Sequence, residues 1–288
     1  MATPLTADSL ITVLRAEGIP VVEHPGWRTH NREGHGAWGP VNGVIIHHTV
    51  TSGSAKTVDI CYDGYAALPG PLCHGVITKD GIVHLVGNGR ANHAGSGDSD
   101  VLQAVIDESA SLPAPNQNNT DGNVHFYGFE CENLGDGKDP WPDIQLDAMV
   151  RASAALCRAH GWTAQSVIGH KEWTNTKVDP KGFAMNDFRD RVAARLVTKP
   201  TPAKPTYEPY PGASFFTTGR RSPIIAAMRK RLIAVGCDRY QSSANPDVWG
   251  SGDKNSYAAW QRHLGYSGND ANGIPGKTSW AKLHVPNV

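Results

Sequence analysis

Val44-Ile45-Ile46-His47-His48-Thr49 is the stretch on which the fold turns. A short β-branched run of this kind reads as a buried strand, and it ends on two histidines. Neighbouring residues of a strand face opposite ways, so only one of His47 and His48 can point into a given site. Far downstream, Gly169-His170-Lys171-Glu172-Trp173-Thr174-Asn175-Thr176-Lys177-Val178-Asp179-Pro180 holds another imidazole and a carboxylate. Two imidazoles and one carboxylate are a set that a catalytic zinc takes from protein, leaving the fourth position for water. Lys177 and Glu130, the latter in Tyr127-Gly128-Phe129-Glu130-Cys131-Glu132, add a cation and a carboxylate of the kind hydrolysis needs. If these groups converge, the chain is a zinc hydrolase.

Outward from that strand, residues 6–17 read as a helix with Leu10, Ile11 and Leu14 on one face and Gly18 past its end. Residues 24–42 read as loop. His74 to Val86 reads as a hairpin turning at Lys79-Asp80-Gly81. Residues 95–123 form a polar excursion with a short helix near Val101 to Ile106, and a loop that long is often functional, for instance as a cleft wall, or else simply disordered. Val124 to Glu132 reads as a strand whose alternation puts Phe126, Gly128, Glu130 and Glu132 on one face. A helix over Gln145 to His160 stops at Gly161, a short strand Val167-Ile168 leads to His170, and a helix from Asn186 to Leu196 follows. Strands interleaved with helices make this an α/β domain.

Composition changes at Lys199-Pro200-Thr201-Pro202-Ala203-Lys204-Pro205, which reads as a stiff linker. Beyond it, Ile224, Ile225, Met228 and Leu232 recur at helical spacing, and Gly-rich turns precede Tyr257, Trp260 and Leu264, then Trp280 and Leu283. This predicts a small all-α three-helix C-terminal domain with Trp249, Trp260 and Trp280 in its core, because so small a domain needs its aromatics inside. The expected division is 1–198, a linker over 199–214, and 215–288.

The 288 residues carry 27 basic and 27 acidic groups, a balance that favours neither nucleic acid nor an anionic membrane as partner. No apolar run approaches the roughly 18 residues of a membrane span, and Met1-Ala2-Thr3-Pro4-Leu5 lacks the pattern of a signal peptide. The expectation is therefore a soluble protein, without membrane insertion, made in the cytoplasm. The five cysteines, an odd number without a C-x-x-C pair, are expected to be mostly reduced thiols.

Five segments in order resemble the zinc-dependent N-acetylmuramoyl-L-alanine amidase family, which includes phage lysozyme-amidases and peptidoglycan recognition proteins. They are Val44 to Thr49, Cys73-His74-Gly75-Val76-Ile77-Thr78-Lys79-Asp80-Gly81, Asn92-His93-Ala94-Gly95, Gly128 to Glu132, and His170 to Pro180. Residues 215–284 resemble a three-helix peptidoglycan-binding module through Asp247-Val248-Trp249-Gly250, Ala258-Ala259-Trp260-Gln261 and Asn272 to Trp280. The resemblance implies a central mixed β-sheet flanked by helices. It also implies Zn2+ on His47, His170 and Asp179, with Lys177 near the oxyanion and Glu130 as acid/base. The implied partner is bacterial peptidoglycan, cut between the lactyl group of N-acetylmuramic acid and L-alanine, by a monomer with the layout of a phage endolysin. Such an enzyme would stay in the host cytoplasm until released to the wall. One departure stands out: Cys73 occupies a position where other branches carry tyrosine, which leaves more of the proton traffic to Glu130.

Strand alternation does not separate Glu130 from Glu132. His74 reads equally as core or cleft lining, and His93 as a substrate-binding residue of the cleft. Two other functions compete: a non-catalytic peptidoglycan receptor, against which Asp179 argues because it can bind zinc, and a zinc peptidase cutting within the stem peptide.

Overall fold

A computed structural model describes residues 2–198, 200 and 207–288. The chain divides into two compact units, Met1–Ala203 and Lys204–Val288. Of the linker expected over 199–214, Lys199 and residues 201–206 lie outside the described residues.

The first unit is built on a six-stranded mixed sheet. Its strands are β1 (Val21–Glu23), β2 (Gly43–His48), β3 (Gly75–Ile77), β4 (Val83–Leu85), β5 (Phe126–Cys131) and β6 (Val167–Gly169). The spatial order is β1-β4-β3-β5-β2-β6, and only the hairpin β3–β4 is antiparallel. Helices α1 (Ala7–Ala16), α2 (Ser54–Asp63), α3 (Ser99–Ile106), α4 (Asp143–His160) and α5 (Met185–Val197) accompany it. The expected mixed sheet with flanking helices is what forms.

Alternation along the strands distributes the core. Val44 and Ile46 of β2, with Tyr127 and Phe129 of β5, join a large cluster with Leu10 and Leu14 of α1, Met149 and Leu156 of α4, and Phe188 of α5. Ile45, Phe126 and Ile168 point the other way, into a smaller cluster with Val101 and Val105 of α3 and with Trp173. This explains why Val44-Ile45-Ile46 is apolar without interruption: both faces of the strand are covered. By the same parity His47 and Glu130 continue the thinly covered face.

The sequence pattern predicts one apolar side for α4, yet residues 148–150 and 152–157 are all buried. The helix lies between the sheet and α1 and α5, so its outer side is covered too, and its Ala and Ser residues allow the close approach. A buried carboxylate locks this layer. Glu17, after α1, accepts from Arg158 Nε at 2.6 Å and Arg195 Nε at 2.7 Å, joining α1, α4 and α5. Hydrogen bonds to charged groups of this kind contribute about 1.5–3 kcal/mol each.

The polar excursion 95–123 is ordered. Buried Asp98 caps α3 through Asp100 N–H at 2.8 Å and also accepts from Asn116 N–H at 2.7 Å and Gln117 N–H at 3.0 Å. The five cysteines are free and buried.

In the second unit α6 (Pro223–Ala234), α7 (Ser251–His263) and α8 (Lys277–Leu283) surround Met228, Leu232, Trp249, Tyr257, Trp260, Trp280 and Leu283. Trp260 Nε1 donates to Ser279 O at 3.0 Å and Trp280 Nε1 to Glu208 O at 2.8 Å, so these buried indoles are satisfied. No helix among the described residues is long and apolar enough to cross a membrane.

Candidate functional site

The register of three adjacent parallel strands assembles the site. His47 on β2 pairs with Glu130 on β5. Gly169 on β6 pairs with Ile46, so His170, one residue on, arrives at the level of His47. All three lie at the carboxyl ends of their strands, where open α/β sheets hold ligands. The segment after His170 then brings Asp179 back: Lys171 N–H donates to Asp179 O at 2.7 Å.

His47 Nδ1, His170 Nδ1 and Asp179 Oδ2 converge, at 2.9 Å between the imidazoles and 3.2 and 3.1 Å from them to the carboxylate. All three residues are buried. The outer hydrogen bonds set the tautomers. His170 Nε2 faces Ala94 O at 3.1 Å and His93 Nε2 faces Phe126 O at 3.1 Å. A carbonyl oxygen only accepts, so both Nε2 atoms carry hydrogen. Neutral His93 then has a bare Nδ1, which accepts from His47 Nε2 at 3.1 Å and leaves His47 Nδ1 bare. Burial, followed by the neighbouring His170, pushes the His47 imidazole down to about 4, and burial with the surrounding imidazoles lowers His93 as well.

With the histidines in these tautomers the three atoms present lone pairs to one another, an arrangement that suits a cation. Donors about 2.0–2.1 Å from a common tetrahedral centre stand roughly 3.3 Å apart, close to the spacings found. The donor set fits a divalent metal ion.

Glu130 Oε1 is 4.0 Å from His47 Nδ1, and Glu130 Oε2 is buried with no partner among the described residues. Burial, reinforced by the Asp179 carboxylate and opposed by Lys177, pushes the Glu130 carboxyl up to about 8. A cation held by Asp179 would draw it back towards the charged form. Glu132 is differently placed: it accepts from Gly53 N–H at 2.8 Å, Ser54 Oγ at 2.6 Å and Lys79 N–H at 3.3 Å. Its carboxylate is occupied in fastening the start of α2, and it is absent from the cleft.

The cleft has a volume of about 340 Å³ and is lined by Glu130, His93, His170 and Asp179, with exposed Lys177 at its edge. Reasoning from sequence missed part of its wall. Val50, Leu68 and Val178 form an apolar rim and are 66%, 47% and 58% exposed. Val50 also has φ of 54°, rare for a β-branched residue and costing about 1–3 kcal/mol. Three exposed apolar residues in otherwise polar loops were the available signal. The 95–123 excursion supplies none of the lining residues, so the expectation of a cleft wall there is not met.

His93, expected to bind substrate, has both ring nitrogens engaged inside the protein, so its evident part is to orient His47. Its ring lies over Gly128, where a Cβ would come within 2.4 Å of Nδ1, so this strand position has to be glycine. His74 is core: Nε2 donates to Gly89 O at 3.0 Å and Nδ1 accepts Gly128 N–H at 2.9 Å. His48 borders the cleft but is not one of the three converging donors, and its Nδ1 accepts Lys181 N–H at 3.2 Å. Burial holds the Cys73 thiol well above its ordinary range, so it offers no ready substitute for an acidic side chain.

A donor set of this kind beside a buried carboxyl group, at the carboxyl ends of a mixed sheet, is suited to metal-assisted hydrolysis. Residues 37–182, just over half of the chain, match the N-acetylmuramoyl-L-alanine amidase family, and the chain belongs to it. It is thus an enzyme for peptidoglycan amide hydrolysis, in a family that is typically zinc-dependent. No curated protein matches it at a significant level. Among solved structures it is similar to the endolysin N-acetylmuramoyl-L-alanine amidase LysCS from Clostridium intestinale, at 18% identity, 60% of this chain, 96% of that one and a TM-score of 0.41. AmiD from E. coli, in complex with anhydro-N-acetylmuramic acid-L-Ala-D-gamma-Glu-L-Lys, is 15% identical over 88% of this chain and 91% of that one, with a TM-score of 0.37. AmpDh3 from Pseudomonas aeruginosa, in complex with anhydromuramic pentapeptide, is 15% identical over 92% and 97%, with a TM-score of 0.38.

Proposed function

We propose that the chain is a zinc-dependent endolysin that hydrolyses the amide between the lactyl group of N-acetylmuramic acid and L-alanine. The observation that carries this reading is the set of three bare donor atoms, His47 Nδ1, His170 Nδ1 and Asp179 Oδ2, with Glu130 beside them. These residues would hold the zinc, which supplies a Lewis acid and a water whose pKa is lowered to about 7.

The chain's own groups account for the rest. Glu130, whose Oε1 stands 4.0 Å from His47 Nδ1, takes the proton of the attacking water and passes it to the departing alanine nitrogen. That delivery is essential because an amide nitrogen leaves poorly as an anion. Lys177, at the cleft edge, faces the oxyanion that develops on the lactyl carbonyl oxygen. The apolar rim of Val50, Leu68 and Val178 shields the reacting groups from bulk water.

In this reading the second unit holds the cell wall, which raises the local concentration of scissile bonds for the first. The enzyme is made in the host cytoplasm and acts once it is released to the wall. Mass spectrometry of purified muropeptides after treatment tests the bond: a free amino group should appear on L-alanine with the stem otherwise intact. Fragments cut within the stem would make the chain a peptidase instead.

His93 should matter through His47. His93→Phe keeps a ring over Gly128 but removes the acceptor for His47 Nε2–H, so zinc affinity is expected to fall by about 10–100-fold. Competition with a chelating dye measures it, and an unchanged affinity would show that His47 is oriented without His93.

A further inference from the structure

The second unit contains a pocket of its own. It has a volume of about 310 Å³ and lies between α6, the 239–245 segment and the first turn of α7. Arg229 reaches it from α6 and is 8% exposed. Its guanidinium carbon sits 3.9 Å from the centre of the Tyr240 ring, and Nη2 donates to Ser242 O.

Among the described residues no carboxylate lies within ion-pair distance of Arg229. The one acid in the lining, Asp253, is already engaged. It is buried, accepts Gly250 N–H at 2.9 Å and accepts the Tyr240 hydroxyl at 3.0 Å, and so braces the ring on which Arg229 stacks. A second cation, Arg239, also lines the pocket, with Nη1 donating to Asp238 O at 2.5 Å. The lining therefore carries two guanidinium groups against one occupied carboxylate.

A charge withdrawn from water is costly unless something pairs with it. Stacking on Tyr240 and one carbonyl oxygen hold the Arg229 plane in place but do not neutralise it. A planar guanidinium fixed in this way suits an incoming carboxylate, to which it offers parallel donors. The side chain of Asn255, also in the lining, provides an amide for pairing with a peptide group.

We propose that this pocket binds a carboxylate-bearing peptide, of the class that the stem peptides of peptidoglycan present, with Arg229 as its anchor. The proposal rests on the reading of the second unit as wall-binding and gives that unit its site and its ligand chemistry. The anchor is then the acidic peptide, with the buried tryptophans serving as core.

An acidic stem peptide without its sugar has no scissile lactyl amide, so it can be titrated into the full chain without being consumed. The readout is the NMR signals of Tyr240 and Gly252, with the carboxamide form of the same peptide and acetate as parallel ligands. The acidic peptide should shift these signals saturably. The carboxamide peptide, and the acidic peptide on Arg229→Gln, should bind about tenfold more weakly or worse, the loss expected for a charge-assisted hydrogen bond. The carboxamide arm leaves the protein unchanged, so it decides the matter even if the variant fails to fold. Equal shifts from both peptides, no shift, or equal binding of acetate would overturn the proposal. Sedimentation with intact walls separates this from the broader reading. If the site fails but removing residues 207–288 still abolishes retention, the unit holds the wall elsewhere. If retention never depended on that unit, the wall-binding reading itself falls.

Discussion

Asp179→Ala is expected to lower bound zinc from about one per chain to near zero and to abolish muropeptide hydrolysis. The substitution removes the only anionic member of the donor set and leaves two neutral imidazoles, His47 and His170, to hold a dication. Metal-assisted activation contributes several kcal/mol to such a reaction. At about 1.4 kcal/mol per decade, its loss corresponds to a fall of roughly 10³-fold or more in turnover. His170→Ala should behave alike, whereas His48→Ala should keep its zinc because His48 Nδ1 is spent on Lys181 N–H. The first unit should stay folded throughout, since its large cluster of Ile46, Phe129, Met149 and Phe188 owes nothing to the metal. Elemental analysis together with circular dichroism gives the answer. Stoichiometric zinc in the Asp179 variant would remove that residue from the site.

Glu130→Gln should separate chemistry from metal binding. Glutamine keeps the volume and much of the hydrogen bonding but takes no proton, so kcat is expected to drop by roughly 10²–10⁴-fold, the usual range for general acid–base catalysis. Zinc content should be unchanged, because Glu130 Oε1 stands 4.0 Å from His47 Nδ1 and lies outside the convergent triad. Glu132→Gln is the informative comparison. It perturbs contacts to Gly53, Ser54 and Lys79, so its effect should appear in stability, with turnover per folded molecule largely kept. A dead Glu132 variant beside an active Glu130 variant would move the proton carrier two residues along the strand.

Much of the secondary structure was legible because its signals are local, although β1 and α2 were not read and Val124–His125, read as strand, form a helical turn. The β-branched run at Val44, the stop at Gly161 with φ of 71°, and the hairpin turn at Gly81 with φ of 79° each act over a few residues. The residue types that converge in the cleft were legible as well, since two imidazoles and a carboxylate are chemically distinctive wherever the chain places them. The Pro-rich composition after Lys199 and the change of periodicity beyond it are likewise local features of the sequence.

What only the tertiary structure decided was which polar groups were already satisfied. Glu130 and Glu132 share a strand face by alternation. They differ because Glu132, just past the end of β5, meets donors from residues 53, 54 and 79 while Glu130 Oε2 meets none among the described residues. His93 read as substrate-binding and His74 as either core or cleft lining, yet His93 completes a hydrogen-bond chain from Phe126 O to His47 and His74 bridges Gly89 and Gly128. Burial of the outer side of α4 depended on α1 and α5 arriving over it. Sequence patterning reports whether a side chain faces inward. Whether an inward polar group is spent or free depends on donors brought from distant segments, and only the folded chain sets those distances.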